Sequence, residues 1–158
     1  MITDVLEEIK QAAGSNLKKS IIAKHSDSEI FRRVLTYSFD PFVVFNVVKI
    51  PKVKALDRSV SMSERERWEV FFKAIDTCAS REVTGNAAIE LIRAAFCVVK
   101  PEEEMWMRRI LKKHLAIGAS VKTINSVIPG LIPTFEVALA QKFETKRLIG
   151  RETVFVEP

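Results

Sequence analysis

The chain has 158 residues, 47% of them hydrophobic and 28% charged, with a net charge of +5 and a pI of about 9.3. That is enough apolar material for one domain with a real core, since a chain this long buries roughly 68–70% of its unfolded surface. No apolar run approaches the ~18–20 residues that span a membrane, and Asp4, Glu7 and Glu8 near the start are unlike a secretory signal.

In chain order the elements read mostly as helix. The first spans about Thr3 to Ala13, with Val5 and Ile9 on its apolar face and Gly14 as its stop. A second follows Ser15, with Leu17 and Ile21 one turn apart. A third starts at Ser26-Asp-Ser-Glu29, a capping-box spacing, and presents Ile30, Phe31, Val34 and Leu35. The valines and phenylalanines of the apolar run Phe42 to Val48 could make a strand, but its helical surroundings favour a short buried helix. Residues Ile50 to Ser61 read as a loop broken by Pro51.

A second capping box, Ser63-Glu-Arg-Glu66, opens a helix that brings Trp68, Phe71, Phe72 and Ile75 to one core face. The next helix runs from Thr84-Gly-Asn86 to about Val99. Another begins at Pro101, with Glu102, Glu103 and Glu104 as a solvated first turn. A short helix follows Ser120 and stops before Pro129. A further helix over Phe135 to Phe143 and an extended Glu152 to Val156 complete the reading, which is all-α and compact. Cys78 and Cys97, the only cysteines, lie among apolar neighbours without metal-ligand spacing and read as reduced core thiols.

Catalytic chemistry is hard to place. His25 and His114 are far apart, no glycine-rich phosphate loop is present, and three consecutive glutamates on a helix diverge by 100° per residue. No catalytic or metal-binding residue is assigned.

Anion binding is easier to place. Between Met105 and Phe135 there is no Asp or Glu, while Arg108, Arg109, Lys112, Lys113 and Lys122 lie inside that span. Arg108/Lys112 and Arg109/Lys113 are each four apart, as on one helical face leading into Gly118. Gly118-Ala119-Ser120 and Thr84-Gly85-Asn86, the latter just after Arg81, place small residues at helix starts, where unpaired amides and a partial positive charge favour phosphate. A second basic group, Lys49, Lys52, Lys54 and Arg58, sits in the connector.

Thr84-Gly-Asn-Ala-Ala-Ile-Glu90, Gly118-Ala-Ser-Val121 and Pro129-Gly-Leu-Ile-Pro133 occur in an order and spacing that resemble the N-terminal region of the T-even-phage type of ATP-dependent DNA ligase. The resemblance covers most of the chain and is weaker before Ser63. It implies an all-helical DNA-binding domain over 1–150 that grips nicked double-stranded DNA through its sugar-phosphate backbone. Arg81, Thr84, Gly85, Asn86, Lys112, Lys113, Gly118, Ala119, Ser120 and Lys122 would be the contacts.

The family's Lys-x-Asp-Gly adenylation motif does not occur; Lys54-Ala-Leu-Asp57 has the wrong spacing and no glycine. Residues 151–158 look like a linker and first strand leading toward a nucleotidyltransferase domain. The resemblance therefore implies a chain that is not an enzyme by itself and needs no cofactor. ATP and Mg would serve the intact ligase, and the catalytic domains of the same polypeptide would be its partners. A monomer in the host-cell cytoplasm, with no membrane partner, is expected. The rival reading is a helical protein-interaction module of a replication or repair complex, without direct DNA binding.

Overall fold

The computed structural model of the chain describes residues 1–54 and 58–134. Within them it is all-helical: α1 (Ile2–Gln11), α2 (Ser15–Lys24), α3 (Glu29–Phe39), α4 (Glu64–Ala79), α5 (Gly85–Cys97), α6 (Pro101–Leu111) and α7 (Val121–Val127). The expected helix over Phe135 to Phe143, the extended end and the domain limit at residue 150 fall outside the described residues.

Local caps set most of the helix starts. Ser63 Oγ accepts from the Glu66 N–H while the Glu66 carboxylate accepts from the Ser63 N–H at 2.7 Å, so both partners of the predicted box are in place. Ser120 Oγ accepts from the Thr123 N–H at 3.2 Å and opens α7. The predicted box at Ser26 is replaced by its neighbour: Ser28 caps α3 through the Phe31 N–H, and Ser26 Oγ donates to the Ala23 carbonyl. Ser26 still belongs to the turn that ends α2.

The core is built where α4 packs on α5, α2 on α7, α3 on α6, and α1 on both α2 and α6. Trp68, Phe71 and Phe72 of α4 are fully buried, and the Phe71 ring stacks on Phe96 of α5 at 6.3 Å between centroids. Leu17 was expected beside Ile21 in this core but is exposed; Ile21 and Ile22 face inward instead.

Two other expectations are corrected. The run Phe42 to Val48 forms neither helix nor strand, and only Phe45 is buried. Of the α6 glutamates only Glu102 is solvated as expected. Glu103 is 2% exposed and Glu104 6%. Glu103 receives Arg67 in a bidentate pair at 2.6 and 2.7 Å and also accepts from the Lys100 N–H at 2.8 Å. Glu104 is shared by Arg58 and Arg108, and Arg58 also donates to the Phe96 and Val99 carbonyls. Both carboxylates satisfy the dipole preference of a helix N-terminus, yet cations from remote segments, not water, neutralise them.

Candidate nucleic-acid interface

The Thr84 site is open to solvent. After α4 ends, Arg81 takes a left-handed backbone (φ 61) and Gly85 does so again (φ 59), with Thr84 extended between the turn and α5. Thr84, Gly85 and Asn86 are all exposed. The Thr84 hydroxyl makes no capping bond, contrary to the simplest reading of its position. The first amides of this thirteen-residue helix therefore have no side-chain cap, which is the arrangement that receives an anion. Arg81 is exposed beside them.

The Gly118 site is built by alternation. Leu115, Ile117 and Ala119 point into the core, while Ala116, Gly118 and Ser120 face out. Ala116 (φ 57) and Gly118 (φ 66) both take left-handed backbone, so the segment folds sharply while its apolar side chains stay buried. The turn after α7 is held by Asn125, whose amide donates to the Ile132 carbonyl at 2.8 Å and accepts from the Ile132 N–H at 3.0 Å. That places the Pro129-Gly130 turn without a second helix in the described residues.

Lys18, absent from the sequence reading, belongs to this site. It reaches across from α2, and its ammonium donates to the Ile117 carbonyl at 2.6 Å. A Cβ added to Gly118 would lie 2.6 Å from that nitrogen. The only signal available beforehand was that Lys18 follows Leu17; the pairing spans 99 residues and depends on α2 packing against α7. Lys122 is exposed on α7, one residue into the helix.

The basic face predicted on α6 divides. α6 ends at Leu111, Lys112 caps it, and Lys113 turns left-handed (φ 55), so the four-residue spacing no longer describes a helical face. Lys112 is exposed. Lys113 is directed inward: its ammonium donates to the Tyr37 and Asp40 carbonyls at 2.6 and 2.7 Å and lies 5.1 Å from the Phe45 ring centroid. Desolvation by burial pushes its pKa below the ordinary lysine value. Arg108 is spent on Glu104, and Arg109 lies 4.6 Å from the Trp106 ring centroid.

The structure thus gathers Gly118, Ala119, Ser120 and Lys122 with Lys18, and separately gathers Arg81, Thr84, Gly85 and Asn86. Lys112 remains available; Lys113 has a packing role. Among the described residues no hydrogen bond or ion pair joins the two groups. No helix among those residues is long and apolar enough to cross a membrane.

No protein-family model matches the chain. Among curated proteins it is similar to the DNA ligases of Enterobacteria phages T4 and T6, 32% identical in each case over 146 residues. Those matches take in 92% of this chain and 30% of each relative, so the chain spans under a third of the relatives' length. Among solved structures it is similar to one named Pmar-Lig_PreS3, with a TM-score of 0.72 and 28% identity over 84% of this chain and 31% of that one. A second, named Pmar-Lig_Pre., gives a TM-score of 0.67 and 28% identity over 80% of this chain and 29% of that one. Sequence and all-helical fold agree in making the chain similar to an N-terminal domain of the T-even-phage type of DNA ligase.

Proposed function

We propose that this domain grips duplex DNA around a nick, so that the catalytic domains of the same polypeptide can seal it. The observation that carries the reading is the similarity to phage DNA ligases along 92% of the chain. Two features of the fold support it. The glycine turns at Gly85 and Gly118 expose backbone amides where a phosphate can approach closely, and Lys18, Lys112, Lys122 and Arg81 flank them.

The contacts are to sugar and phosphate, so affinity is electrostatic and nearly independent of sequence. The domain acts as a monomer in the cytoplasm of the host cell, in replication, repair and recombination. Adenylation, which needs ATP and Mg in the intact ligase, is left to the catalytic domains. This chain holds no Lys-x-Asp-Gly motif to accept AMP.

The test is a titration of labelled nicked and intact duplex from low to moderate salt, followed by fluorescence anisotropy. Binding whose log K falls with log salt by about 0.9 for each phosphate neutralised is expected. Absence of binding to either duplex at low salt would refute the reading. Incubation with ATP and Mg is expected to add no mass, and a covalent AMP would overturn the division of labour.

A further inference from the structure

The strip from Phe42 to Lys54 is built at some cost and then left facing solvent. Asn46 takes a left-handed backbone (φ 55), and its side-chain amide donates to the Cys78 and Ala79 carbonyls at 3.3 and 3.4 Å. Lys113 gives up hydration to hold the Tyr37 and Asp40 carbonyls and cover Phe45. Arg108 holds the Pro51 carbonyl. On this mounting Phe42 is 58% exposed, Val44 59% and Val48 93%. Isolated exposed apolar residues are ordinary, but three along one anchored segment form a patch of the kind that marks an interaction site.

The chemistry of the strip defines its occupant. Residues 44–54 make no backbone–backbone hydrogen bond among the described residues; apart from Pro51, which has no N–H, and the Val44 and Pro51 carbonyls, which accept from Asn46 and Arg108, their amides and carbonyls can pair with an extended chain. Lys49, Lys52 and Lys54 are exposed at one end, and no carboxylate occurs from residue 41 to residue 56. A groove of about 730 Å³ runs alongside, lined by Pro41, Val43, Val44, Val47 and Leu111 among others. Sugar-phosphate backbone would satisfy the lysines but leave Val44 and Val48 without apolar partners.

We propose that this strip docks an extended peptide segment of a partner protein that alternates apolar and acidic residues. The apolar side chains would enter the groove beside Val44 and Val48, and the carboxylates would meet Lys49, Lys52 and Lys54. Pairing of this kind takes its affinity from main-chain hydrogen bonds and its specificity from alternate side chains. Nothing in this proposal depends on the DNA reading.

The probe is a fluorescent peptide of roughly twelve residues alternating Asp and Val, with a Lys–Val peptide of equal length as control. Anisotropy with the whole chain is expected to show saturable binding of the Asp–Val peptide and none of the control. The paired change Val44→Asp/Val48→Asp, on solvent-facing side chains, is expected to weaken it at least about tenfold. Lys49→Glu/Lys52→Glu should do the same, and it keeps the test alive should the valine variant fail a thermal-melt check. No binding of the Asp–Val peptide overturns the proposal. So does displacement of that peptide by duplex DNA together with loss of DNA affinity in the lysine variant alone, which would make the strip a nucleic-acid contact. Concentration-dependent dimerisation abolished by the valine variant would assign the strip to a second copy and likewise overturn it.

Discussion

Replacing Lys113 by methionine separates a packing lysine from a phosphate-binding one. Its ammonium makes charge-assisted hydrogen bonds of 2.6 and 2.7 Å to the Tyr37 and Asp40 carbonyls. Each such bond contributes about 1.5–3 kcal/mol, offset in part by desolvation of the charge, which is the same cost that lowers its pKa. Methionine keeps the stem over Phe45 but leaves two carbonyls without this donor, at about 1–3 kcal/mol each when they stay dry. Because the site is only half-buried, water recovers part of that loss, and a net destabilisation of about 1–3 kcal/mol is expected.

In a thermal melt that corresponds to roughly 2–4 °C per kcal/mol for a chain of this size. The same variant should leave the salt slope of DNA binding within error of the wild type. Lys112→Gln, at an exposed position, should instead leave the melt unchanged and lower the slope by up to about 0.9. A Lys113→Met protein that melts normally but loses about one unit of salt slope would refute the packing argument.

Further outcomes follow from other contacts. Arg67→Met strands Glu103 in the core and should cost about 3–5 kcal/mol in urea unfolding. The double change Arg67→Met/Glu103→Leu should recover most of that loss, because no buried charge is left alone. The Glu66 carboxylate is held below its ordinary pKa by the Ser63 hydroxyl and N–H. A depressed acid stabilises the fold above the ordinary glutamate value and loses that contribution as pH falls through the folded value. The gap in melting temperature between wild type and Glu66→Ala should therefore close as the pH falls below the ordinary glutamate range. Gly85→Ala and Gly118→Ala should each cost about 1–2 kcal/mol for left-handed backbone. Only in the second should Lys18→Met then add less than it does in wild type, because the new methyl has already displaced the ammonium.

Features decided within one turn of chain were legible from sequence. Ser63 and Glu66 recognise each other three residues apart, Pro101 and Ser120 mark helix starts, and Trp68, Phe71, Phe72 and Ile75 repeat with the helical period. What was misread depends on partners far along the chain. Glu103 and Glu104 look like first-turn acids until Arg67 and Arg58 arrive from the segments before and within α4. The run Phe42 to Val48 is apolar enough for a helix, yet its path is fixed by Asn46 reaching the end of α4 and by Lys113 arriving from beyond α6. Lys113 itself was assigned by assuming that α6 continues; it stops two residues earlier.

The same distinction reorders the basic surface. Net charge says how many cations are in excess, not which of them water or a ligand can reach. Among the described residues, Arg33, Arg58, Arg67, Arg93 and Arg108 form salt bridges with carboxylates, whereas Lys10 is the one lysine that does. Arginine, with its planar fork of donors, suits fixed bidentate pairs, and lysine, a mobile and well-hydrated point charge, suits contacts with a ligand that slides. The field felt by a polyanion therefore comes from the cations left out of the internal pairs, among them Arg81, Lys112 and Lys122 on the candidate interface, and Lys49, Lys52 and Lys54 on the strip. If both groups served DNA, removing either would reduce the salt slope. If the strip serves a peptide, only the first group would, and the valines beside the second explain why it is set apart.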